Sequence, residues 1–181
     1  MKKILYILLF VFFASQVSSD QWGNKAWYGM GGDGMCVIGT EANSHNSLSI
    51  GYSDGRMALN DYAFSPTMRI AIRNVVGDTF LKTREIIPIK ISFDSIIDID
   101  TFARASYAHG DIDMYYLSVN QGRVTDQFDP DSFNYNAITS SMQKHSSMQL
   151  KNSIGQTVLD FSLMGFTATF KEFQTCVKKL Q

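Results

Sequence analysis

Residues 166–180, FTATFKEFQTCVKKL, decide most of what the sequence predicts about the fold. Apolar residues recur in this stretch at spacings of four, three, four and three, which is the period of an amphipathic helix. They are Phe166, Phe170, Phe173, Val177 and Leu180. Cys176 lies at the edge of the same face, and Thr169 and Glu172 have the spacing of a capping box. The stretch therefore predicts a C-terminal helix that packs on a sheet, with packing on a partner subunit as the alternative.

Short β-prone runs separated by turn residues precede this helix. They predict strands at 35–38, 48–52, 56–59, 68–72, 87–93 and 114–119, followed by a hairpin of 148–151 and 157–163. In 87–93 the apolar residues alternate with Pro88, Lys90 and Ser92, which directs one apolar face toward the core. Because Pro88 lacks the N–H that a central strand needs, this strand is expected to be an edge strand or to begin one.

A second helix is expected before the final hairpin. Asp129 and Pro130 are typical of an N-cap and a first helical residue, and they predict a helix of about four turns that runs to about Lys144. The expected fold class is β-rich α+β. It is a single-domain antiparallel β-sandwich with the C-terminal helix packed on it and one further helix.

The first 19 residues have the pattern of a signal peptide. Two lysines precede an apolar run of 11 residues, 4–14, which is shorter than a membrane-spanning helix. Val17 and Ser19 suit the positions that signal peptidase reads, so cleavage is expected before Asp20, with an uncleaved anchor as the alternative. Residues 20–181 are then expected to form one periplasmic or secreted domain, with no stable membrane insertion after cleavage.

Two cysteines, Cys36 and Cys176, lie near the two ends of this domain. In an exported chain they most simply form one disulfide. A catalytic thiol is the alternative. It is disfavoured because Cys176 has no histidine nearby in the sequence and Cys36 follows a glycine-rich loop instead of a helix N-terminus.

Two glycine-containing motifs suggest enzymes that their contexts disfavour. Ser53, within GYSDG (51–55), matches a nucleophile elbow, but the residues after it alternate like a strand, so Asp54-Gly55 is predicted to be a hairpin turn. GMGGDG (29–34) matches a dinucleotide fingerprint, but a predicted strand follows it where a helix is needed. A flexible loop is expected there. No enzyme and no cofactor are predicted, and a small secreted serine hydrolase using Ser53, with His109 or His145, is the alternative.

Acidic clusters in the middle of the chain are weak metal-site candidates. His109, Asp111 and Asp113 have a chelating spacing, but a zinc site usually needs three or four ligands. A second cluster is formed by Asp126, Asp129 and Asp131. It lacks the glycine and the bidentate glutamate of a calcium loop. No metal is expected, and ordinary surface residues are the favoured interpretation.

Charge is unevenly distributed along the chain. Sixteen Lys and Arg against 17 Asp and Glu argue against a nucleic-acid partner, whereas residues 94–131 hold eight acids and two arginines. Several of these acids are candidates for binding a basic partner. They are Asp98, Asp100, Asp111, Asp113, Asp126, Asp129 and Asp131. Solvated loops without a binding role are the alternative.

The last part of the chain resembles the invasion-associated locus B family of exported bacterial proteins. The resemblance rests on residues 160–166 (DFSLMGF) and on the C-terminal helix that carries Cys176 near its end, together with the early Trp27 and Cys36. It implies a small periplasmic or surface β-sandwich with an envelope or surface role and no catalytic residues. The chain departs from the family in having only two cysteines, too few for its wider disulfide arrangement.

The sequence therefore predicts a non-enzymatic periplasmic or surface protein that acts by binding another protein. One version is an inhibitor or immunity protein whose partner is a basic toxin or enzyme. The other is an envelope or invasion-associated role, in which the partner is a host surface protein.

Overall fold

The computed structural model describes residues 20–43, 46–56, 66–73, 86–108, 111–120, 134–152 and 154–181. These residues contain ten strands and two helices. The strands are β1 (Asp20–Asn24), β2 (Trp27–Gly32), β3 (Met35–Asn43), β4 (Asn46–Ser53), β5 (Thr67–Arg73), β6 (Ile86–Phe93), β7 (Ile97–Ala108), β8 (Asp111–Asn120), β9 (Ser147–Lys151) and β10 (Thr157–Ser162). The helices are α1 (Tyr135–Met142) and α2 (Phe166–Leu180). The predicted signal peptide, 1–19, lies outside the described residues.

The ten strands form one antiparallel sheet in the order β1-β2-β3-β4-β5-β8-β7-β6-β9-β10. The sheet folds over on itself, because β10 packs across β3 from the far end of the strand order. The Trp27 indole N–H donates to the Ser162 carbonyl at 3.0 Å and fastens the two ends. Two layers therefore enclose the core, and the predicted β-sandwich-like α+β fold is confirmed.

Alternation along the strands builds this core. In β6 the residues Ile87, Ile89, Ile91 and Phe93 are buried, as their spacing predicts. Ile91 and Phe93 lie beside the buried Leu150 and Met148 of β9, on the same face of the sheet. Each such side chain stabilises the fold by roughly 1.5 to 3 kcal/mol when it leaves water.

The expectation that β6 lies at a sheet edge is wrong. This strand pairs with β7 along its whole length and with β9 at residues 90–93. Pro88 lies beyond the paired residues of β9 and is exposed. A proline is tolerated there, since that half of β6 has a described partner on one side only.

The flexible loop expected at 29–34 is also wrong, because Gly29 and Gly31 lie within β2. Asp33 and Gly34, with φ of 45° and 82°, make the two-residue turn to β3. A Cβ at Gly29 would overlap the Trp22 indole, and one at Gly31 would lie 2.5 Å from the Cys176 Sγ. These glycines therefore leave room for an indole and a disulfide on one face of β2.

Helix α1 begins at Tyr135, later than expected. Asn134 precedes it with non-helical dihedrals, and Asp129 and Pro130, which the sequence predicts as its N-cap and first residue, lie outside the described residues. The Asn134 side-chain amide donates to the Asp100 carbonyl at 3.2 Å, which fixes the start of α1 against β7.

Helix α2 packs on its own sheet, against β1, β2 and β3. Phe166, Phe170, Phe173 and Val177 of its apolar face are buried as predicted and Leu180 is half-buried, so the chain's own sheet covers this face. The capping box is wrong: Thr169 lies inside the helix, buried, and donates to the Gly165 carbonyl at 3.1 Å. Gly165 precedes the helix with a φ of 94°, where a Cβ would overlap the Asn24 carbonyl.

The disulfide between Cys36 and Cys176 is confirmed. It joins β3 to α2 across 140 positions, with the two Cα atoms 6.1 Å apart. Cys36 has no exposed surface. A buried bond of this kind indicates a compartment outside the reducing cytoplasm.

Replacing both cysteines by alanine should lower the free energy of unfolding by about 2 to 5 kcal/mol, because the unfolded chain regains the freedom of a long loop. Urea denaturation of oxidised wild type, reduced wild type and the double variant measures this. Reduced wild type should resemble the variant. A loss below about 1 kcal/mol would show that the bond contributes little to the fold.

Candidate functional site

The turn between β6 and β7 is exposed, and several hydrogen bonds hold its backbone in place. Asp94 and Ser95 adopt left-handed φ values of 48° and 57°, and the Ile96 N–H donates to the Phe93 carbonyl at 2.9 Å. Asp tolerates this region better than most residues. The backbone of the turn is therefore defined by its own hydrogen bond and by the residue at its first position.

The Asp94 carboxylate binds the connection between α1 and β9. It accepts hydrogen bonds from the backbone N–H groups of Ser146 at 3.1 Å and Ser147 at 2.8 Å, and from both hydroxyls. His145 Nδ1 lies 3.0 Å from its second oxygen. The Ser146 hydroxyl, followed by the Ser147 N–H and His145, holds the pKa of Asp94 well below its usual range. The folded turn therefore stabilises the ionised form of the Asp94 carboxyl group.

This anchored turn presents two isoleucines to solvent. Ile96 is 81% exposed and Ile97 is 42% exposed. We call residues 95–97 the Ile96 tip. Single exposed apolar residues are common on protein surfaces, but two adjacent ones on a turn held by a carboxylate form a preorganised contact point.

Asp98 and Asp100 alternate on the outer face of β7, next to the Ile96 tip. Lys90 reaches both carboxylates, at 3.7 and 3.6 Å, and the Lys151 ammonium lies 3.3 Å from Asp98. Hydrogen bonding to Ser92, followed by Lys151, holds the pKa of Asp98 below its usual value. The structure therefore brings these two predicted acids together, but it pairs them with lysines of β6 and β9.

The structure does not show the other five predicted acids together on one surface. Asp111 begins β8, where its backbone pairs with Ala108, and Asp113 follows in the same strand. Asp126, Asp129 and Asp131 lie outside the described residues. A single acidic face at all seven positions stays a prediction.

Ser53 is the last residue of β4 and has no exposed surface. Its hydroxyl accepts a hydrogen bond from the Gly55 N–H at 3.2 Å. Of the predicted hairpin with 56–59 only Arg56 is described, and it lies in a bend, while β4 pairs with β3 and β5. Residues 57–59 lie outside the described ones.

The Asp54 side chain binds Arg56, two residues further along the chain. Its carboxylate accepts hydrogen bonds from the Arg56 backbone N–H at 3.0 Å and from the Arg56 Nε at 2.7 Å. The Arg56 side chain lowers the pKa of Asp54. The Asp54 backbone N–H donates to the Gly34 carbonyl at 2.9 Å. This hydrogen bond joins the end of β4 to the turn between β2 and β3.

Histidines offer little support for catalysis or metal binding. His145 is engaged by Asp94, and His45 and His109 lie outside the described residues. Within the described ranges no group of three His, Cys, Asp or Glu residues is placed to hold a metal ion. None of the helices in the described part of the chain is both long enough and apolar enough to cross a membrane.

No protein family model matches the chain, and neither a curated protein nor a solved structure does. The resemblance to the invasion-associated locus B family therefore stays a prediction drawn from the residues quoted for it. Sequence reasoning counted Asp94 among the acids but missed its anchoring role. The signal for a turn, Asp-Ser after an alternating strand, was present in the sequence.

The anchor at Asp94 should make stability depend on pH. Its folded pKa lies below the unfolded value of about 3.9, so its stabilising effect is complete above that value and is lost as pH falls toward the folded pKa. Urea midpoints measured from pH 7 to pH 3 should fall more steeply for wild type than for Asp94→Asn. Asp100→Asn, which changes an exposed carboxylate, is the control. Equal slopes for wild type and Asp94→Asn would contradict the anchoring role.

Proposed function

We propose that the protein is exported, is not an enzyme, and acts by binding another protein through the Ile96 tip. The observation that carries the proposal is the 81% exposure of Ile96 on a turn fixed by Asp94. Because the backbone of the turn is already fixed, little backbone freedom is lost when the exposed Ile96 side chain enters a partner's pocket. A tip of this kind suits insertion into an apolar pocket.

Charge beside the tip supports a partner with basic groups around that pocket. The side chains of Asp98 and Asp100 are 42% and 84% exposed. Ion pairs at such exposure contribute little, so basic groups of a partner can exchange with Lys90 and Lys151. Acids on the rim would then speed association more than they strengthen it.

Two biological settings fit this mode of binding. In the first, the protein is an inhibitor or immunity protein whose tip blocks a basic toxin or enzyme. In the second, it has the envelope or invasion-associated role implied by the family resemblance, and the partner is a host surface protein. The disulfide and the predicted signal peptide support a periplasmic or secreted location for either.

Ile96→Ser tests the tip directly. Tagged protein from residue 20 to 181 is used to capture partners from native envelope extracts and, separately, from host-cell surface extracts. Recovery of an equimolar partner should fall about tenfold or more for Ile96→Ser, because the buried apolar contact is lost. An envelope partner favours the inhibitor role and a host partner the surface role.

Ile154→Ser is the matched control. Ile154 is also an isoleucine on a β-turn, 71% exposed at the other end of β9, and its turn is held by the Asn152 side chain. It should retain full capture. Equal loss from the two variants, or full capture by Ile96→Ser, would refute the tip as the binding element.

The serine hydrolase alternative needs an accessible Ser53. Since Ser53 is buried and its hydroxyl already accepts the Gly55 N–H, hydrolysis of p-nitrophenyl acetate by wild type and by Ser53→Ala should be the same as that of a denatured sample. Turnover by wild type that Ser53→Ala abolishes would favour the hydrolase.

A further inference from the structure

Four connections between elements meet at the end of the sandwich that carries the Ile96 tip. The Ser146 N–H donates to the Asp94 carboxylate at 3.1 Å, and the Leu163 N–H donates to the Ser146 carbonyl at 2.8 Å. The Ala26 N–H in turn donates to the Met164 carbonyl at 3.4 Å. This series of hydrogen bonds joins the connections into one continuous surface. We call it the turn surface, and it consists of residues 24–26, 95–97, 144–146 and 163–165.

The turn surface exposes apolar side chains at two separate turns. Met164, on the turn between β10 and α2, is 53% exposed, in addition to Ile96 and Ile97. Only β9 separates β6 from β10 in the sheet, and neighbouring strands lie about 4.8 Å apart, so the two turns are about 10 Å apart. Six large apolar side chains are exposed among the described residues, and half of them lie on this surface. Such clustering is typical of a contact surface.

The two sides of the turn surface carry opposite charges. Lys25 is exposed, and a Cβ at Gly165 would lie 3.3 Å from the Lys25 Cβ, which places this lysine beside the turn that carries Met164. Asp98 and Asp100 lie beyond the Ile96 tip on β7, which β6 and β9 separate from β10. Their side chains are 42% and 84% exposed. A cation therefore flanks one apolar turn, and carboxylates flank the other.

This arrangement is complementary to a second copy of itself. In a dimer with two-fold symmetry the same surface of both copies is used, and a residue on one side of the axis meets a residue from the other side. An axis between the two apolar turns brings Met164 of one copy to the Ile96 tip of the other. It also brings Lys25 toward Asp98 and Asp100. Opposite charges then face each other at both edges of the contact.

We propose that the turn surface forms a weak symmetric dimer with a second copy of this chain. The apolar side chains of the two turns lie at its centre, and Lys25 of each copy faces Asp98 and Asp100 of the other. The contact is non-covalent, because both cysteines of the chain already form the internal disulfide. A contact made by a few short turns is smaller than a standard interface, so the dimer is in exchange with the monomer.

The dimer covers the Ile96 tip, so a second copy competes with the partner of the proposed function. By mass action, a partner that binds the free tip pulls the equilibrium toward the monomer. The inference does not rest on the proposed function, since association of the pure protein is measured without any partner.

Sedimentation equilibrium of the oxidised protein from residue 20 to 181 tests the dimer. The average mass should rise from that of the monomer toward twice that value between about 1 μM and about 1 mM protein. Ile96→Ser and Met164→Ser should each raise the dissociation constant about tenfold, because an apolar side chain at the centre of the contact is lost. Lys25→Glu should also weaken the dimer, and Asp100→Lys added to it should restore association by exchanging the two charges.

Two variants are matched controls. Ile154→Ser removes an exposed isoleucine from a turn at the other end of β9, and Lys179→Glu reverses an exposed lysine in the last turn of α2. Each should keep the dissociation constant within about twofold of wild type.

A monomer at every concentration, or equal weakening by the control variants, would overturn the dimer. Monomeric wild type that still captures a partner through Ile96 would assign the surface to that partner alone. A dimer that Ile96→Ser and Met164→Ser weaken, in a protein that captures no partner, would support this inference and contradict the proposed function.

Discussion

The Cys36–Cys176 disulfide is the constraint on which the arrangement of the molecule depends. The sheet is open, with β1 and β10 at its ends, and α2 covers the first three strands. The bond fixes α2 to β3, while Gly29 and Gly31 leave the space that the bond and Trp22 occupy. Because α2 is held there, its apolar face stays buried against β1, β2 and β3.

A second connection organises the opposite part of the sheet. Asp94 joins the β6–β7 turn to the start of β9, and its hydrogen bonds replace the water that an exposed carboxylate would otherwise hold. The same residue therefore sets the register of β6 with β9 and the shape of the exposed tip. Stability and the proposed binding element are linked through one side chain.

Local patterns predicted much of the fold. The alternation in 87–93 and the helical period in 166–180 report which side of an element is buried, and burial depends on spacing within that element. The pairing of β6 with β9 could not be found in this way, since β9 lies more than 50 residues further along the chain. The sequence predicts a loop at Gly29 because it does not show the Trp22 ring, which lies on the neighbouring strand of the hairpin and leaves no room for a side chain at this position. The sequence predicts Asp98 to be an acid available to a partner because it does not show that Lys151 lies beside it.

The placement of α2 has a consequence for how the chain acquires its structure. Strands β1 to β3 come first in the sequence, yet they are covered by the last 15 residues of the fold. Contacts between such distant segments form late, since the intervening chain must first be ordered. The N-terminal strands therefore stay uncovered until α2 has been added to the chain. The bond that holds α2 in place forms last, because it needs both Cys36 and Cys176 in an oxidising environment.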